Sequence, residues 1–173
     1  MLAKGTERII ALYSLIIGIT YLIIGVLEFV MGIWSVLMPW AAVTRLARCL
    51  TGFLGLPMDI FGGLSAIVIG ATYFGAFSLW KGKHESLGFV LVATMLSAVF
   101  GVLYLLIIGA RGLEVFLTFL SGEEEWNWEW ITSGTTGLGL LRPEIWLFLL
   151  SLPLAFLVWK KAKFITIKSK KVI

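Results

Sequence analysis

The sequence predicts an all-α membrane protein: a four-transmembrane-helix bundle with a short interfacial helix after the first span, both termini cytoplasmic. Three observations carry this reading. The chain has 173 residues, 60% of them hydrophobic and 14% charged, where a soluble domain carries about a quarter charged residues. Its mean hydropathy is +1.00. Four stretches are apolar over a membrane length, which for a helix is about 20 residues across a core roughly 30 Å thick. The length suits one integral membrane domain, residues 1–173.

The spans fall at about 9–37, 58–80, 87–108 with helix continuing to 120, and 143–159. The first is far longer than the 7–15 apolar residues of a signal peptide, and Glu28 interrupts it, so it reads as retained. Pro57 and Pro143 stand where helices start, and Asp59 and Glu144 follow in the first turn, favourably placed for the helix dipole. Pro153 lies inside the fourth span and predicts a kink of a kind membrane helices tolerate.

Orientation follows from the basic residues. Lys4, Arg8, Lys81, Lys83, Lys160, Lys161, Lys163, Lys168, Lys170 and Lys171 fall on one side; Arg45, Arg48, Arg111 and Arg142 fall on the other. Ten against four puts both termini in the cytoplasm of a multi-pass cell-membrane protein. Trp34, Trp40, Trp126, Trp128, Trp130 and Trp146 predict an outer aromatic belt, and Trp80 and Trp159 an inner one. Residues 41–55, with Arg45 and Arg48 amid apolar neighbours, predict the interfacial helix. The outer loop 121–142 alternates Trp with polar residues, a strand-like period, and reads as an interfacial anchor or a partner surface. The basic tail 160–173 predicts contact with anionic lipids.

The most informative pattern lies in the first span. Ser14, Gly18, Tyr21, Gly25, Glu28, Gly32 and Ser35 follow one another in steps of 4 and 3, a heptad seam on one helix face. Everything between is mainly Ile, Leu, Val and Phe. Glu28 therefore faces protein, on the one stripe where small residues let another helix approach. The second span has a related seam, Asp59, Gly63, Ala66, Gly70 and Tyr73; the third has Thr94, Ser97, Gly101, Tyr104, Ile108 and Arg111. Gly-x-x-Tyr occurs in all three. Setting the three tyrosines at one depth places Glu28 and Arg111 at the same height, each seven residues beyond its tyrosine. That predicts an intramembrane polar cluster of Glu28, Arg111, Asp59, Tyr21 and Tyr104, with Glu114 as a local alternative partner for Arg111.

The chemical inventory is otherwise sparse. One cysteine, Cys49, and one histidine, His84, exclude an internal disulfide and a bis-histidine haem within one chain. No motif points to a catalytic residue, a metal, a cofactor or a nucleic acid. The absence of Gln and the single Asn127 fit a thermophilic, prokaryotic and archaeal source. The reading that follows is non-enzymatic: an accessory or structural subunit of a larger membrane complex, or a homo-oligomer, in contact with the bilayer and with membrane-protein partners. Two alternatives are a small ion- or proton-coupled transporter or channel using Glu28 and Asp59, and a quinone- or lipid-binding subunit of a membrane oxidoreductase built on Tyr21, Tyr104 and Arg111.

Overall fold

A computed structural model describes residues 2–37, 59–81, 84–122, 126, 128–132 and 139–170. The described residues hold four helices long and apolar enough to cross a membrane. Helix α1 is Leu2–Leu37, α2 is Ile60–Phe74, α3 is Leu87–Ser121 and α4 is Pro143–Lys170. The 3₁₀ segment Gly75–Lys81 extends α2, so the second crossing reaches the length expected. Both α1 and α4 overrun their apolar stretches. Backbone hydrogen bonding propagates helix past the last residue that suits hydrocarbon. The fourth helix passes through Pro153 and continues to Lys170, so much of the basic tail is helical. The segment 41–55, with Arg45 and Arg48, lies outside the described residues.

The chain packs as two antiparallel pairs, α1 with α2 and α3 with α4, closed by contacts of α2 with α3 and of α1 with α4. The α1–α2 interface is the most extensive, and the glycine seam is the reason. Ser14, Gly18, Tyr21, Gly25, Glu28 and Gly32 are all buried. On the opposite face Ile9, Ile16, Ile23 and Val30, one per heptad, are more than half exposed, as lipid contact requires. In a bilayer, apolar residues gain nothing by leaving lipid for a neighbouring helix, so close backbone packing must hold the helices together. The approach is close enough that a methyl group at Gly25 would lie 2.7 Å from the Ile67 nitrogen and 2.8 Å from the Gly63 oxygen. At Gly70 it would lie 2.8 Å from the Gly18 oxygen.

Hydroxyls line the middle of the bundle. The rings of Tyr21 and Tyr73 stack with centroids 6.2 Å apart. The Tyr21 hydroxyl is 2.5 Å from Ser97 Oγ, which is 3.3 Å from Ser151 Oγ. The Tyr73 hydroxyl is 3.1 Å from Thr94 Oγ1. Each of these hydroxyls pairs with one on a different helix, and together they form one polar layer at this depth.

The third helix, 35 residues long, is roughly 50 Å at 1.5 Å per residue. It ends at Gly122, whose left-handed backbone (φ 74°) caps it. Here the loop reading needs correction. Glu129–Thr132 forms a helical turn, where the Trp alternation predicted strand character. A strand needs a second strand for its backbone groups, and none of the described segments supplies one; a helical turn satisfies its own. Trp126 packs edge-on against Phe116, Phe119 and Trp128, tying the loop to the end of α3. Trp128 is exposed; Trp130 belongs to the helical turn.

Enlarging Gly25 tests the packing. Gly25→Leu collides with backbone and lowers stability by about 1–3 kcal/mol or more, whereas Ile23→Leu, on the lipid face, leaves it within about 0.5 kcal/mol. Thermal unfolding of the purified protein in detergent reads both. Equal losses would mean that α1 does not meet α2 along this seam.

Candidate functional site

At the end of the bundle where α2 and α4 begin, four helices converge on a cluster of charged side chains. Asp59 is the N-cap of α2. Its Oδ1 accepts hydrogen bonds from the Phe61 and Gly62 amides, each at 3.0 Å. Its Oδ2 accepts from the Tyr104 hydroxyl at 2.9 Å and from Arg142 at 3.0 Å. One carboxylate thus caps a helix and binds the first residues of α4 to α2 and α3. Burial pushes the Asp59 carboxyl up, but the Gly62 amide, Tyr104 and Arg142 outweigh it and hold it below its ordinary range.

Arg142, immediately before Pro143, is fully buried. Its guanidinium lies 3.8 Å above the centre of the Tyr104 ring, a desolvated cation–π contact. It reaches Glu144 Oε1 at 3.4 Å. Glu28 of α1, also fully buried, completes the cluster. Its neighbour Phe29 lies against Gly63 in the first turn of α2, which sets Glu28 at the height of the cluster. Two carboxyl groups, Asp59 and Glu144, thus share one guanidinium.

The cluster leaves polar atoms without hydrogen bonds. Both oxygens of Glu28, Oε2 of Glu144, and Nε and one terminal nitrogen of Arg142 are buried without a partner among the described residues. Buried polar groups in folded proteins are hydrogen-bonded in the great majority of cases. Five such atoms on three adjacent residues make this the least satisfied region among the described residues. The floor is shaped by Gly62, where a methyl group would lie 2.6 Å from the Tyr104 hydroxyl and 3.0 Å from Glu144 Oε1.

Tyr104 and Asp59 meet here and Glu28 is buried without a hydrogen bond to either, whereas Arg111 and Tyr21 lie elsewhere. Arg111 is exposed on α3 and pairs with Glu114 at 2.6 Å, the local alternative. The error is one of register. Tyr21 meets Ser97, so Tyr104, seven residues beyond Ser97, is level with Glu28 and not with Tyr21. Arg111 therefore stands a further heptad out, about 10 Å at 1.5 Å per residue. The α3 seam also steps from Ile108 to Gly112, following the 3.6-residue turn, which leaves Arg111 facing outward. The sequence alone places Arg142 in a loop and Glu144 at a helix start. Their signal was positional: Asp59 and Arg142 both introduce spans running in the same direction, so both belong at one height.

Residues 4–161 match the MJ0565 integral membrane domain family. The chain belongs to this family. None of the curated proteins and none of the solved structures matches it. Membership agrees with the four crossing helices and places the protein in the bilayer. The charged cluster lies inside the matched region, so it is a feature of the family domain's own span in this chain.

Two measurements test this geometry. Arg142→Met leaves buried carboxyls uncompensated and costs about 3–5 kcal/mol. Arg111→Met removes only an exposed pair worth about 0–1 kcal/mol. Thermal unfolding separates the two, and a larger effect at Arg111 would restore the pairing that the structure replaces. On the acid side, Asp59 has a lowered folded-state pKa, so its stabilisation is full above the unfolded value, about 3.9 for Asp, and is lost as pH falls through the folded value. Asp59→Asn should remove this component of acid destabilisation, seen as a flatter dependence of unfolding temperature on pH in that range.

Proposed function

We propose that this multi-pass membrane protein handles protons or small cations through the buried cluster of Glu28, Asp59, Arg142 and Glu144, as a small transporter or channel. One observation carries the reading: Glu28 is fully buried, and among the described residues neither of its oxygens has a hydrogen-bond partner. Asp59, Arg142 and Tyr104 account for the structural work of the cluster, since their contacts tie three helices together. Glu28 adds no hydrogen bond to that work and carries the desolvation cost of a carboxyl group. An ionisable residue held at such a cost inside a membrane is a functional-site hypothesis.

The accessory-subunit and homo-oligomer readings rest on glycine faces that could receive a partner. Gly18, Gly25, Gly63, Gly70 and Gly101 are all occupied within the monomer. Gly109 on α3, with nothing within 4 Å among the described residues, is a small-residue position open to a neighbouring helix and supports assembly as a second reading. The quinone or lipid site needs Tyr21, Tyr104 and Arg111 together. Tyr21 belongs to the central hydroxyl layer, Tyr104 to the charged end, and Arg111 to the exposed face of α3, so that reading lacks support. Cytoplasmic termini, contact of the basic tail with anionic lipid, and a thermophilic prokaryotic source belong to our reading on the charge distribution and composition already given.

Reconstitution tests the proposal. Liposomes containing the protein and a trapped pH- or cation-sensitive dye should show flux above empty liposomes under an imposed gradient. Glu28→Gln should return the flux to the empty-liposome level, and Arg111→Met should leave it unchanged. Flux indifferent to Glu28 would refute the assignment.

A further inference from the structure

We infer that Arg142 is the specificity-determining residue of this site: it occupies the carboxylate oxygens that a metal cation would need and leaves the proton as the ion the cluster can bind, on Glu144. The inference rests on the ion-handling reading of the same cluster and chooses between the two ligands that reading allows.

The order of exposure gives the route. The Asp59 side chain is 23% exposed, that of Glu144 3%, and that of Arg142 not at all. An ion arriving from solution at this end meets Asp59 first, and both Asp59 oxygens are already engaged. Oδ1 accepts from the Phe61 and Gly62 amides, and Oδ2 from the Tyr104 hydroxyl and Arg142. The same Arg142 nitrogen lies 3.4 Å from Glu144 Oε1. It therefore reaches both carboxylates, as a bridging cation would have to. Gly62 closes another side, since a methyl group there would lie 3.0 Å from both Asp59 Oδ2 and Glu144 Oε1.

Arg142 is held in this position. Its guanidinium lies 3.8 Å from the centre of the Tyr104 ring, and guanidinium groups remain charged in proteins. A metal cation entering here would face a fixed like charge at short range, away from water, where such repulsion is strongest. It would also lack ligands. Hard divalent cations take about six oxygens or more, and among the described residues no three His, Cys, Asp or Glu side chains converge as metal ligands. A proton needs one oxygen. Glu144 Oε2 is buried and has no hydrogen-bond partner among the described residues, so it is the acceptor that Arg142 leaves over. Asp59, which accepts from four donors, balances the charge of Arg142. An ionised Glu144 is then a buried charge without a balancing partner, and a proton taken from solution removes it. The other titratable groups at this height are Tyr104 on α3, whose hydroxyl donates to Asp59, and Glu28 on α1.

Ion-specific stabilisation of the full-length protein in zwitterionic lipid nanodiscs tests the assignment without a transport assay. At neutral pH the wild type should unfold at one temperature in sodium, potassium and choline chloride of equal concentration. Arg142→Gln frees both carboxylates. Its unfolding temperature should be higher in sodium chloride than in choline chloride, because an ion that binds only the folded state stabilises it. An arginine with a purely structural role would lower stability equally in every salt. Arg142→Lys keeps the positive charge and should stay indifferent to sodium. The proton is read separately. Infrared difference spectra between weakly acid and alkaline pH should show a carboxylic C=O band that loses intensity in Glu144→Gln and persists in Asp59→Asn. Stabilisation of the wild type by sodium or potassium, an Arg142→Gln variant as indifferent as the wild type, or a band unchanged by Glu144→Gln overturns the inference. If Arg142→Gln does not fold, the wild type, Arg142→Lys and the band decide. Sodium flux through the wild type in liposomes would refute proton specificity and keep the transport reading. The expected ion pattern without any flux would sink transport and leave the proton site.

Discussion

The direct backbone contact of α1 with α2 is the constraint on which the rest of the bundle depends. Gly25 against Gly63, and Gly18 against Gly70, bring two helices so close that no side chain separates them. Dispersion falls steeply with distance, so such contact stabilises helices in a solvent as apolar as they are. It also fixes register finely, since sliding one helix by a turn would set a side chain against backbone. With register fixed, Glu28 is held beside the start of α2. The position of the carboxylate is thus a consequence of glycines three and four residues away on the same helix.

The second pair of helices joins the first through charge. Arg142 touches Asp59 of the α2 cap, the Tyr104 ring of α3 and Glu144 of its own helix. A buried guanidinium is costly, and its planar donors offset that cost only where acceptors converge on them. Asp59 meets this need because capping occupies one of its oxygens and leaves the other free for Arg142 and Tyr104. The same residue that starts a helix therefore sets the distance between three of them. Glu28 stands outside this network of hydrogen bonds, which is why a structural account of the cluster does not reach it.

Much of this was legible in the sequence, and the reasons differ by residue. The seam of α1 was readable because small and polar residues recur every three or four positions among Ile, Leu and Val, and burial follows that period from Ser14 to Gly32. The burial of Glu28 was readable for the same reason. Its partner was not. A heptad repeat matches itself after a shift of seven residues, so three Gly-x-x-Tyr signatures could not say which tyrosines were level. The hydrogen bond between Tyr21 and Ser97 chooses the shift, and it depends on side chains whose sequence spacing carries no depth. Arg142 and Glu144 were hidden differently, because Arg-Pro-Glu at a helix start is explained by local rules alone. Only tertiary convergence shows that these residues also serve the interior.

The polar residues of α1 argue for a gated site over a standing pore. Glu7, Ser14, Tyr21 and Glu28 recur every seven residues, and all are buried. They make one stripe about 30 Å long at 1.5 Å per residue, close to the thickness of the hydrocarbon core. Successive members stand about 10 Å apart on that geometry, several times the reach of a hydrogen bond. Ser97, Ser151, Tyr73 and Thr94 enrich the level of Tyr21, but between that level and Glu28 the described packing is glycine against backbone. A proton on Glu28 is therefore adjacent to the charged end of the bundle and cut off from the middle. To pass further it needs the helices to part.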